Sequence, residues 1–76
     1  MPRPPTVALP ALHYWRSQRM LSQLTLAINS GVHARTISLL EHDARADPET
    51  VTRLAAALAV EPSALMAQPP DDVQKP

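Results

Sequence analysis

Ser22-Gln23-Leu24-Thr25-Leu26-Ala27-Ile28-Asn29-Ser30-Gly31-Val32-His33-Ala34-Arg35-Thr36-Ile37-Ser38-Leu39-Leu40-Glu41-His42 carries the spacing of two short helices that cross at a tight turn. Ala27 stands where the first helix must approach the second closely, so a β-branched or long side chain there would push the pair apart. Gly31, four residues on, can take the positive φ that ends one helix and starts the next. Val32, Ile37 and Leu40 place apolar groups on the inner face of the second helix, whereas Ala34, Arg35, Ser38 and Leu39 point outward. That outward face is the candidate recognition surface.

Further residues extend the pattern on both sides. Leu21-Ser22-Gln23 opens the first of the two helices, and Leu26-Ala27 with Gly31-Val32 forms its body and turn. Thr36-Ile37-Ser38 followed by Glu41 marks the second, and Pro48 with Val51, Leu54 and Ala55, then Ala57-Leu58-Ala59-Val60, follows as a further helix and its exit. This ordered series resembles the lambda-repressor-like, Cro/cI-type (XRE-type) helix-turn-helix family of bacterial and phage regulators, from about Leu12 to Met66. The resemblance implies an all-α fold, a compact five-helix domain with the helix-turn-helix formed by helices 2 and 3. It also implies a sequence-specific regulator of transcription that binds double-stranded DNA, with helix 3, about residues 33 to 42, in the major groove.

The same resemblance assigns roles residue by residue. Ala34, Arg35, Ser38 and Leu39 fall where the family reaches base edges; a guanidinium can grip the O6 and N7 of guanine in two bonds, and an apolar side chain can meet a thymine methyl. Gln23, at the positive end of helix 2, fits the family's phosphate clamp, and His33, Thr36, His42, Arg45 and Arg19 flank the recognition helix as candidate phosphate contacts. Arg16 and Glu41 match a family pair that joins helix 1 to the end of helix 3. The Pro48 loop and helix 5, through Pro62, Leu65 and Met66, are the expected dimer contact, so the expected partner is a palindromic operator bound by a homodimer.

Composition bounds these readings. A chain of 76 residues has room for one domain, and at that size only about 60% of the unfolded surface is buried on folding. There is no cysteine, hence no disulfide and no Cys-based zinc site, and one glycine among alanine- and leucine-rich blocks reads as helical. The longest apolar run, Leu54 to Val60, is far short of the roughly 20 residues that span a bilayer, and no signal-peptide core opens the sequence. A cytoplasmic, nucleoid-associated protein of prokaryotic or phage type is therefore expected, with no membrane partner. The formal net charge is zero, which by itself argues against a nucleic-acid binder. Its distribution answers that objection, because residues 1–40 carry four arginines and no acid, a balance of +4, and residues 41–76 carry −4.

Along the chain, Met1 to Thr6 holds three prolines and reads as a flexible arm, residues 7–66 as the domain, and residues 67–76 as a disordered tail. Helix 1 is expected to begin between Val7 and Ala11 and to run to about Arg19, with Leu12 and Trp15 inward. Ser22 is a good N-cap for helix 2, which should reach about Asn29. Asp47-Pro48-Glu49 combines a capping carboxylate, a proline at N1 and an acid near the positive dipole end, and so starts helix 4. Pro62 opens a short helix 5 in which Leu65 and Met66 close the core.

Departures from the family pattern concern the loops. Met20 replaces the usual glycine between helices 1 and 2, His33 stands where a serine or threonine normally caps helix 3, and Asp43 replaces a glycine that often follows it. Leu24 and Ile28 occupy positions that are usually polar and would form a small outward ridge. That ridge, with the tail, supports an alternative: an antitoxin or other protein-binding module in which DNA binding is secondary. Catalysis is not expected, since His13, His33 and His42 lack metal-ligand spacing and no carboxylate lies near to orient a base for Ser22 or Ser38. No cofactor and no metal are expected.

Overall fold

The computed structural model describes residues 5–69 of the 76. Most of the expected arm, residues 1–4, and most of the expected tail, residues 70–76, lie outside the described residues. Among those described, the elements run β1 (Val7–Ala8), α1 (Leu12–Gln18), α2 (Gln23–Ser30), α3 (Ala34–Leu40), β2 (Arg45–Ala46), α4 (Pro48–Leu58) and α5 (Pro62–Met66). The five helices of the all-α reading are present, and the small ribbon was not anticipated.

That ribbon corrects the start of helix 1. Val7 and Ala8 do not open a helix; they pair antiparallel with Arg45 and Ala46, in the register Val7 with Ala46 and Ala8 with Arg45. The pairing gives the backbone groups of the loop after α3 partners they would otherwise lack. It also delivers Leu9, 3% exposed, to the core. Helix α1 starts only at Leu12, after an N-cap Ala11 that has no side-chain cap and whose N–H instead bonds the Leu65 carbonyl at 3.2 Å.

The other boundaries follow from capping chemistry. Ser22 is extended and its hydroxyl accepts from Thr25 N at 3.0 Å, which satisfies one orphan donor at the start of α2. Gly31, at φ 75°, ends that helix with its N–H on the Ala27 carbonyl at 2.9 Å. Asp47 caps α4 through Thr50 N at 3.0 Å, with Pro48 at the first helical position and Glu49 in the first turn. Helix α3 is shorter than residues 33–42: His33 is an extended cap residue, and Glu41 and His42 already lie in the turn beyond it.

Met20 (φ 58°) and Asp43 (φ 93°), both at positions where glycine is the family habit, adopt the left-handed conformation, as does Ala59 (φ 59°) after α4. A residue with a Cβ is costly there, by about 1–2 kcal/mol. The cost is tolerated because the surrounding packing fixes the turns. Leu12, Leu26, Ile37, Leu54, Leu58 and Leu65 are fully buried, and each side chain of this kind stabilises the fold by about 1.5–3 kcal/mol through its removal from water. Helix α2 packs on both α3 and α4, α4 on α5, and Trp15 lies half-buried against the same core. Leu65 is therefore a core residue; its expected role in a dimer contact is corrected, since a side chain at 0% exposure has no surface to offer.

Candidate nucleic-acid interface

Helix α3 is held by its inner side and free on its outer one. Ile37 and Leu40 are buried, whereas Arg35 and Thr36 are exposed, Leu39 is 51% exposed, and Ala34 and Ser38 are half-buried beside them. Arg35 differs from every other arginine among the described residues, because its guanidinium makes no hydrogen bond. Arg16 bonds Glu41, Arg19 bonds Leu58 and Ala59, Arg45 bonds Thr6, and Arg53 bonds Glu49. Among the arginines of the described residues, the one on the outer face of α3 is thus left available to an external ligand.

A network at the other end of α3 fixes its direction. Arg16 Nε donates to Glu41 Oε2 at 2.6 Å and Nη2 to Oε1 at 3.1 Å, while Nη1 donates to the Leu21 carbonyl at 2.8 Å. Gln23 Nε2 adds a bond to Glu41 Oε1 at 3.0 Å. The Arg16–Glu41 pair therefore ties α1, the loop before α2, the first residue of α2 and the C-cap of α3. The Arg16 and Glu41 side chains are only 14% and 4% exposed. Burial alone would raise the Glu41 carboxyl, but the bonds from Arg16 and Gln23 and the nearby positive charge outweigh it and hold the group below its ordinary value. The same bond raises Arg16 further.

The family model for helix-turn-helix proteins matches residues 12–65. The chain belongs to the Cro/cI-type helix-turn-helix family. The family is one of DNA-binding transcriptional regulators. Comparison with curated proteins and with solved structures gives no match. No helix among the described residues is long and apolar enough to cross a membrane.

Several of the expected contact side chains are engaged within the protein. Arg19 terminates a helix. Its Nε donates to the Leu58 carbonyl at 2.7 Å, at the end of α4 where unpaired carbonyls and the negative dipole end attract a cation, and its guanidinium carbon lies over the Trp15 ring, 5.3 Å from the centre. Arg45 is likewise drawn to the protein: Nη2 donates to the Thr6 carbonyl at 2.9 Å, so it fastens the segment before β1. Gln23 gives one amide proton to Glu41 and keeps the other. His42 places Nδ1 2.8 Å from the Ser38 carbonyl, an acceptor, so Nδ1 carries the proton. Thr36 is exposed on the recognition helix and makes no side-chain hydrogen bond among the described residues.

His33 was expected only as a phosphate contact in a place that serine or threonine normally fills. Its ring does the work of the missing hydroxyl, because Nδ1 accepts from Arg35 N at 3.1 Å. Sequence signals for such a cap are weak, since histidine is an uncommon N-cap. Of the expected dimer residues, Pro62 and Met66 are exposed, and Met66 is 41% accessible. They line a shallow apolar cleft of about 200 Å³ with Pro5, Val7, Pro48, Val51 and Thr52.

Proposed function

We propose that the protein is a sequence-specific, dimeric regulator of transcription that inserts α3 into the major groove of a palindromic operator. The observation that carries the reading is the free guanidinium of Arg35 on the exposed face of a helix whose other flank is locked by Glu41. In this reading Arg35 makes a two-bond contact to guanine, Leu39 meets a thymine methyl, and Ala34 and Ser38 let the helix sit close to the bases. The second amide proton of Gln23, with Thr36, His33 and His42, holds phosphates and sets the register. Pro62 and Met66, beside Pro48, supply the contact between protomers, which places the two recognition helices about 34 Å apart, one turn of DNA.

A protein-binding role is the second reading, and it has its own observation: Leu24 is 65% and Ile28 73% exposed, on the outside of α2. Selection of bound duplexes from a random pool separates the two. A regulator enriches a two-fold motif whose half-sites are one helical turn apart, and Gln23→Ala then weakens all selected sequences alike. A pool that stays random after repeated rounds refutes the operator-reading role and leaves the α2 ridge as the functional surface.

A further inference from the structure

Resting on that reading, we propose that His33 is the positioning residue for Arg35, and that it orders the first turn of the recognition helix only while its imidazole is neutral. The contact is specific in its atoms. Nδ1 accepts the backbone N–H of Arg35, so in the neutral ring the proton sits on Nε2. The residue whose amide is held is the one whose side chain reaches the base. Adding a second proton to the ring puts it on Nδ1, which turns the acceptor into a donor facing another donor, and the cap is lost.

Few charged groups face the ring. His33 is exposed and borders a groove formed by Leu24, Ala27 and Ile28 of α2 with Val32 and Ala34, none of which ionises. From α4, Arg53 reaches the same turn, where its Nη1 would lie 3.2 Å from a Cβ at Gly31, and it is already bonded to Glu49. On its own element the charged neighbour is Arg35. Protonated His33 also adds positive charge near the DNA, so acidification separates two quantities. Affinity for unrelated duplex holds or rises, while discrimination by Arg35 falls.

The experiment uses the full chain at about pH 8 and about pH 5.5, which bracket ordinary imidazole titration. Nitrogen NMR assigns the His33 tautomer, hydrogen exchange at the Arg35 amide reports the cap, and titration against a selected operator and its single-base change at the guanine pair gives the discrimination ratio. The proposal expects the Nε2–H tautomer at pH 8. On acidification it expects about a fivefold rise in exchange, after correction for intrinsic chemistry, and a comparable fall in the ratio. His33→Asn, which caps without titrating, keeps exchange slow and the ratio high at both pH values, and His33→Ala gives fast exchange and a low ratio at both. An Nδ1–H tautomer at pH 8 overturns the proposal. So does a discrimination ratio that stays level in the wild type while the ring is seen to take its second proton. If no single-base change matters at either pH, the operator-reading role fails instead, and the exchange data still decide the cap.

Discussion

Removing the Glu41 carboxylate is the most informative single change to the scaffold. In Glu41→Ala, Arg16 keeps its bond to the Leu21 carbonyl but loses two bonds to the carboxylate, and Gln23 loses its amide partner. At 14% exposure the guanidinium is poorly reached by water, so the relevant comparison is a broken buried pair, about 3–5 kcal/mol, rather than a surface pair of about 0–1 kcal/mol. We expect a loss of about 3 kcal/mol, near the lower bound because Arg16 is not fully sealed. For a domain of this length that corresponds to a fall in Tm of about 12–24 °C. Thermal and urea unfolding followed by circular dichroism measures it. Replacing both partners, Arg16→Met with Glu41→Leu, should recover most of the loss, because no uncompensated charge is left. A cost below about 1 kcal/mol for Glu41→Ala would refute the reasoning, since the network would then be worth no more than an exposed ion pair.

Further expectations follow from the same contacts. The Glu41 carboxyl is held below its ordinary value of 4.5, so its contribution to stability is complete above that value and is lost as pH falls through the lower, folded one; Asp47, held down by Thr50, acts in the same direction. Unfolding titrations should therefore lose stability below about pH 4.5, with a visibly shallower slope in Glu41→Gln. Met20→Gly and Ala59→Gly should each raise stability by up to about 1 kcal/mol in urea melts, because both positions have positive φ and Met20 is exposed; equal or lower stability would show that their turns carry no strain. Leu26→Ala, at a fully buried site between helices, should cost about 2–5 kcal/mol and leave the chain largely unfolded at 37 °C, readable in near-ultraviolet signals from Trp15.

What was legible in the sequence is what short-range chemistry dictates. Gly31 requires no partner to end a helix, Ser22 and Asp47 cap through amides three residues away, and the apolar spacing of Val51, Leu54 and Leu58 has one helical solution. The ribbon was not legible, because two residues at each strand are too few to show an alternating pattern. The intramolecular partners of two arginines were hidden for a related reason. Arg19 and Arg45 find carbonyls 39 residues away, at Leu58 and Thr6, and spacing along the chain says nothing about such partners. Leu65 was read both as a core residue and as a dimer contact, and the position of α5 against α1 and α4 leaves it only the first. His33 was seen as a departure from a capping position, yet not as a cap, since that depends on the ring turning Nδ1 back to Arg35 N.

Whether the outer face of α3 reads sequence through Arg35 is tested most directly by the binding of wild type and Arg35→Ala to a selected operator and every single-base change of it, at fixed salt. Arg35→Ala should lose about 1–3 kcal/mol on the operator and lose preference at one base pair per half-site, with preferences elsewhere intact. An equal loss on all sequences would contradict it and make Arg35 a phosphate contact, and no loss at all would remove α3 from the DNA interface.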